Sequence, residues 1–472
     1  MYFNSLTFLL FFASVLFLYN LAFSWRFKKY ILLVASYLFY AAWNPPFVVL
    51  LWISTLVDWF VAKRIYAAKL KSNKLFYILI SLFVNLGLLG FFKYGEFFLN
   101  EFRTLMALGG VSLDYATPDI ILPIGISFYT FQTISYTIDV FRKEVKPAKQ
   151  FIDYALYVTF FPQLVAGPIV RAATFLPQCI SEKKLTLDQY GWGFWQITLG
   201  LFMKVFLADG IFAPIANHLY VYEGIPSMLS AWCGTIAFAF QIYFDFAGYS
   251  MMAIGIAFCL GFVLPQNFNY PYASCGFSDF WQRWHISLSS WLRDYLYISL
   301  GGNRVGISRN YINLMLTMLI GGLWHGASWT FVVWGGLHGM YLILERVLKH
   351  FFRGATKWVV VQVGVIITTF LLVCIAWVFF RASSFDQAFL IIRAMFLESD
   401  LSLDIVFSKM DILTCLSAGG VILLTHFFMR KRSMERLVIK APWAVRSLIL
   451  SIMLFFIIVF PGTNASFLYF QF

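Results

Sequence analysis

Trp358-Val-Val-Val-Gln-Val-Gly-Val-Ile-Ile-Thr-Thr-Phe-Leu-Leu-Val-Cys-Ile-Ala-Trp-Val-Phe-Phe380 carries no charged side chain. As a helix it would rise about 33 Å, enough to cross the roughly 30 Å hydrocarbon core of a bilayer. Working outward, further apolar runs occupy residues 6–23, 30–42, 47–61, 76–92, 120–140, 154–165, 192–207, 229–262, 311–320, 329–344, 412–429 and 444–460. Pro45-Pro46 separates two of them, because proline removes a backbone donor and breaks a helix. The pattern predicts an all-α polytopic membrane protein with about ten to twelve membrane elements. Several runs are too short to span. Short or re-entrant elements at membrane depth must be buried in protein or line a wet cavity, since lipid cannot satisfy bare backbone. No internal repeat divides the chain into halves. The expectation is one membrane-embedded domain, residues 1–472, with a polar interior and a C-terminal helix and tail from about 443.

Composition points the same way. Hydrophobic residues make up 61% and charged residues 12%, where a soluble domain carries about a quarter charged. Aromatic residues reach 20%, and Trp and Tyr suit the membrane–water interface. A net charge of +13 would suggest nucleic acid in a soluble protein. Here the Lys and Arg form short clusters between apolar runs, as in cytoplasmic loops beside anionic lipid. Membrane lipids, and not nucleic acid, are the expected contacts. The six cysteines form no CxxC pair and read as small buried apolar residues. The first run ends in Arg26, Lys28 and Lys29 with no basic residue before it, the reverse of a signal peptide. That order predicts a retained helix with its N-terminus outside. Arg430, Lys431, Arg432, Arg436 and Lys440 predict a cytoplasmic loop, so the last helix crosses outward and both termini lie outside.

An ionisable residue inside an apolar segment is a functional candidate. His325 lies in Gly321-Gly-Leu-Trp-His-Gly-Ala-Ser-Trp329. The small residues let a substrate or a neighbouring backbone approach, and Trp324 and Trp329 can wall the site. A neutral imidazole there can take a proton from a hydroxyl; a helix-packing glycine patch with a satisfied histidine is the alternative. His338, among glycines on another apolar run, reads as a hydrogen bond to a neighbouring helix. His218, His350 and His426 read as interfacial.

A second concentration is Phe277-Ser-Asp-Phe-Trp-Gln-Arg-Trp-His-Ile-Ser-Leu-Ser-Ser-Trp-Leu-Arg-Asp-Tyr-Leu-Tyr297, followed by Gly301-Gly-Asn-Arg304. It is too polar to cross lipid and too aromatic for an ordinary loop, so it reads as an amphipathic or re-entrant element. At helical spacing Trp281, Trp284 and His285 share a face, as do Trp284, Ser287 and Trp291. Arg283, Arg293 and Arg304 can bind the phosphates of an acyl carrier or anchor lipid headgroups. Among carboxylates at depth, Asp139, Asp209 and Asp245, the last is most enclosed. It can orient a histidine or form a structural ion pair. His285 and His325 lack the clustered Cys or carboxylate partners a metal would need. No Walker motif, dinucleotide fingerprint or nucleophile elbow is present.

These two segments resemble the membrane-bound O-acyltransferase family, in its alginate O-acetylase branch. So do Leu122-Pro-Ile-Gly-Ile-Ser-Phe-Tyr-Thr-Phe-Gln132, Phe161-Pro-Gln-Leu-Val-Ala-Gly-Pro168, Tyr243-Phe-Asp-Phe-Ala-Gly-Tyr-Ser250, Trp377-Val-Phe-Phe-Arg-Ala382 and the C-terminal residues. The resemblance implies helices around a cavity or tunnel in a bacterial inner membrane. It implies His325 as the catalytic histidine and His285 as a second catalytic position. Acetyl-coenzyme A is the implied donor substrate, with no bound cofactor and no metal. Arg283, Arg293, Arg304, Trp284 and Trp324 are the donor-binding candidates, with Asp245 and Asn303 in support. The implied partners are a periplasmic acetyltransferase of the SGNH type and the machinery of polysaccharide synthesis and export. Phe467-Leu-Tyr-Phe-Gln-Phe472 is similar to the C-terminal motif of a small membrane partner in lipoteichoic-acid D-alanylation, which marks Tyr469 as an acyl-relay candidate or an aromatic anchor. The implied activity is O-acetylation of alginate or a similar extracytoplasmic polysaccharide. Peptidoglycan or teichoic-acid acylation, a transporter or flippase without chemistry, and a scaffold subunit are the alternatives.

Overall fold

The computed structural model of the chain describes residues 1–113, 120–351, 358–398, 406–460, 462 and 467–468; the side chains of 349–351 fall outside that description. Every regular element among the described residues is helical. Among the described residues, seven helices are long and apolar enough to cross a membrane: Pro45–Ala67, Lys71–Leu108, Leu187–Val221, Met228–Cys259, Trp329–Leu348, Val359–Arg381 and Lys409–Met429. Leu6–Asn20 and Trp443–Val459 are shorter apolar helices. The uncharged run at 358–380 becomes Val359–Arg381, as its length requires.

The other runs counted towards ten to twelve elements form helices of different character. Trp25–Ala41 and Ile126–Arg142 have 17 residues each, and Phe151–Thr159 has 9. Proline sets two of these limits. Pro123 precedes the start at Ile126, and Pro162 opens a separate short turn, Phe161–Leu164, after the break at Phe160. Ile126–Arg142 is buried along almost its whole length, so it packs inside protein.

The chain divides into two compact units, residues 1–194 with 253–265, and 195–252 with 266–472. In the first, a buried polar network joins three helices. Asn85 Nδ2 donates to Asp58 Oδ2 at 2.7 Å, and Ser54 Oγ and Thr133 Oγ1 donate to Asn85 Oδ1 at 2.6 and 3.1 Å. Such bonds fix helix register where apolar contacts alone do not discriminate partners.

The second unit is built on the helical hairpin Ile307–His325 and Trp329–Phe351. A Cβ on Gly322 would collide with the Phe331 carbonyl oxygen, and one on Gly335 would collide with that of Met318. The neighbour that these glycines admit is a backbone, and the two helices touch there. Gly322→Val is therefore expected to destabilise the protein by about 1–3 kcal/mol or more, read as a lowered unfolding temperature in detergent. Unchanged melting would refute this contact.

Candidate active site

Residues 277–297 do not form one helix. A short helix, Phe277–Trp281, ends in a turn, and His285 adopts a left-handed conformation (φ 43°) before Ile286–Trp291 begins. The shared face expected for Trp281, Trp284 and His285 is thereby lost, because the chain reverses its local twist at His285. Such backbone conformations in non-glycine residues persist only where surroundings impose them.

Asn267 imposes this one. Its carbonyl oxygen accepts the Ile286 N–H at 2.9 Å. Its Oδ1 accepts the Ser287 N–H at 3.1 Å, the Ser287 hydroxyl at 2.9 Å and His285 Nδ1 at 3.2 Å. A backbone N–H can only donate, so the Asn267 atom facing Ser287 is oxygen. His285 Nδ1 must then carry a proton, and the neutral ring keeps its lone pair at Nε2. Asn267 Nδ2 donates to Ser250 Oγ at 3.2 Å, which fixes the amide. Nothing in the sequence near His285 signals Asn267.

His325 closes its helix and is 3% exposed; His285 is fully buried. The two rings lie 6.4 Å apart between centroids. Trp324 and Trp334 each sit 5.0 Å from the His325 ring, and Phe380 5.4 Å. Phe246 meets the edge of His285 at 4.6 Å. Two imidazoles from separate segments thus lie together in one buried aromatic cluster. Asn267→Leu removes the acceptor of three donors. It is expected to lower turnover about 10–100-fold, while Asn267→Asp, which keeps the acceptor, retains more; equal loss in both would deny the orienting role.

The other candidates separate. Arg283 is tied within the fold. It donates to Asp279 Oδ1 at 2.8 Å and to the carbonyls of Asn269 and Arg430 at 3.2 Å. Trp284 is fully buried, stacked on Phe280 at 5.7 Å. Arg293 is exposed and pairs with Asp294 at 2.7 Å, a bond that raises its pKa above the ordinary arginine value. Arg293 and Asn303 line a 410 Å³ cavity with Tyr297, Ile298, Asn310 and Arg346. Arg304 is exposed on the loop that carries Asn303. Arg346, which donates to Asn310 Oδ1 at 2.7 Å, carries no signal in the sequence.

Asp245 forms an ion pair with Lys204 at 2.6 Å, and Lys204 also meets Asp209 at 2.8 Å. Asp245 Oδ2 in addition accepts the Leu468 N–H at 2.7 Å. Phe467 packs on Tyr249 at 4.9 Å and on Phe246 at 5.6 Å, the ring that touches His285. Tyr469 lies outside the described residues, as does the side chain of His350. His218 is exposed, whereas His426 is buried against Tyr243, Tyr270 and Tyr272. His338 makes no hydrogen bond to a neighbouring helix among the described residues. Those residues hold no group of three metal-ligating side chains.

The sequence model of the membrane-bound O-acyltransferase family matches residues 140–385. The chain is 42% identical over 383 residues to the probable alginate O-acetylase AlgI of Azotobacter vinelandii, covering 80% of this chain and 74% of that protein. It is 38% identical over 395 residues to the peptidoglycan O-acetyltransferase of Helicobacter pylori, covering 78% and 74%. The teichoic acid D-alanyltransferase of Bacillus subtilis is 28% identical over 290 residues, covering 56% and 70%.

Proposed function

The chain belongs to the membrane-bound O-acyltransferase family and is a multi-pass membrane O-acyltransferase; from that premise we propose that it moves acetyl groups from cytoplasmic acetyl-coenzyme A towards an exported polysaccharide. The observation that carries this reading is the buried pair of imidazoles, His285 and His325, held 6.4 Å apart. Relatives named for acetylation of alginate and of peptidoglycan support acetyl as the group and a polymer hydroxyl as its destination.

His325 acts as general base. The acceptor oxygen attacks the thioester carbonyl carbon as His325 takes its proton. The new C–O bond forms, the C–S bond breaks, and coenzyme A leaves with the proton that His325 returns. His285, with its lone pair at Nε2, accepts a hydrogen bond from a neighbouring hydroxyl or a water and so orients the acceptor. The donor's phosphates meet Arg293 and Arg346 in the cavity that Asn303 also lines, and Arg304, exposed and next to Asn303 in the chain, adds positive charge to the same loop. The density of arginine at this end of the hairpin fits a cytoplasmic face in a bacterial inner membrane, with both termini periplasmic. No bound cofactor takes part.

The first acceptor is Tyr469 or a serine of a periplasmic acetyltransferase of the SGNH type. The tail supports the tyrosine, since Phe467 lies one aromatic ring from His285. Tyr469→Phe separates the two: loss of polymer acetylation marks a relay, and full acetylation makes the partner's serine the acceptor. For the reading as a whole, inverted membrane vesicles supplied with radiolabelled acetyl-coenzyme A should accumulate base-labile label on polysaccharide. Label that stays wholly in acetyl-coenzyme A would contradict it.

A further inference from the structure

In the first unit Asp58, on the Pro45–Ala67 helix, is fully buried, and its carboxylate meets no lysine, arginine or histidine among the described residues. A charge at that depth is costly unless a cation or a proton neutralises it. The donors around it are committed. Asn85 Nδ2 donates to Asp58 Oδ2 at 2.7 Å and to the Ser81 carbonyl at 2.9 Å, which uses both its hydrogens and fixes the amide. Ser54 Oγ gives its proton to Asn85 Oδ1 at 2.6 Å. Thr133 Oγ1 has that same oxygen and the Thr130 carbonyl as acceptors, each at 3.1 Å. Thr137 Oγ1 donates to the Ile134 carbonyl at 3.0 Å, so at 3.1 Å it is Ser81 Oγ that donates to Thr137 Oγ1. The other carboxylate oxygen, Asp58 Oδ1, is buried with no hydrogen-bond partner among the described residues.

Two more oxygens beside it share that condition. Thr55 Oγ1, one turn earlier on the same helix face, and the Tyr154 hydroxyl are both buried and unpaired among the described residues. Tyr154 lies within electrostatic reach of Asp58, and its ring stacks at 5.9 Å on Trp59, the next residue of the chain. Tyr136, the other phenol near Asp58, accepts the Ala148 N–H at 3.1 Å.

Neither protonation state of Asp58 settles this alone. The ionised form has no counter-charge. The acid must carry its proton on Oδ1, because Oδ2 faces an N–H, and Oδ1 has no acceptor within reach. A small ion of single positive charge satisfies all three oxygens. Hard cations take oxygen ligands, and one carboxylate balances one charge, so a divalent ion would leave an excess inside the bundle. We propose that Asp58 Oδ1, Thr55 Oγ1 and the Tyr154 hydroxyl form a site for an alkali cation, sodium or potassium, which ties the helix carrying Asp58 to Phe151–Thr159. The site belongs to the first unit and is independent of the acyl-transfer reading.

The test follows the unfolding temperature of the purified full-length protein in detergent, with sodium or potassium chloride exchanged for N-methylglucamine chloride at constant ionic strength. An ion that binds only the folded state raises the midpoint as its concentration grows. A rise of about 5 °C is expected towards saturation, and the stronger response names the ion. Asp58→Asn, which carries no charge and supplies its own donor, should lose the ion dependence altogether. Thr55→Val keeps the shape and removes one ligand. It should raise the half-saturating concentration about tenfold, and it serves if Asp58→Asn does not fold. A midpoint that ignores both ions, or that rises only as the pH is lowered, identifies a protonated carboxyl held by water and overturns the proposal. So does an ion response undiminished in either variant.

Discussion

Alanine at position 325 is expected to lower acetyl transfer by about 10²–10⁴-fold, the usual worth of a positioned general base. The protein should still insert in the membrane and purify as a folded species. Its ring is one of several in a shell that keeps Trp324, Trp334 and Phe380. His325→Gln should be nearly as inactive, because an amide cannot take the proton. The measurement is ester formation per folded molecule. Full turnover in well-folded His325→Ala would remove the base from the mechanism and leave His285, whose lone pair faces from Nε2, as the group to examine.

The second large effect is structural. Lys204 meets two buried carboxylates, Asp209 and Asp245, at 2.8 and 2.6 Å, and its own side chain is 4% exposed. Lys204→Met leaves two carboxylates facing each other without that cation, which is expected to cost about 3–5 kcal/mol. A lowered unfolding temperature and poor yield should follow, and adding Asp209→Asn should recover part of the loss. The variant should also loosen the tail, because Asp245 holds the Leu468 N–H. Wild-type melting in Lys204→Met would show that the pair contributes nothing to the fold.

The fold was legible where the chemistry is local. An uncharged run the length of a bilayer becomes a helix that can span it, and Pro45-Pro46 separates two helices as proline must. Positions set by distant partners were not legible. Periodicity placed Trp281, Trp284 and His285 on one face, but Asn267, eighteen residues upstream, turns the backbone at His285 instead. His426 sits beside a basic stretch, and nothing local there signals the three tyrosines from other segments that bury it. Within the site, the histidines were visible as ionisable groups in apolar surroundings. Arg346 was not, since only its fold neighbours Arg293, Asn303 and Asn310 make it part of a cavity. The glycines around His325 left room for either a substrate or a neighbouring backbone, and at Gly322 it is a helix backbone.

The most direct test of the acyl-transfer account measures two products at once, free coenzyme A and new acetyl ester, after purified protein meets acetyl-coenzyme A and an acceptor hydroxyl. The two should appear in equal amounts with the wild-type chain and fall together in His325→Ala. Intact acetyl-coenzyme A recovered from the far side of a proteoliposome, with no ester formed, would make the chain a carrier and contradict the account.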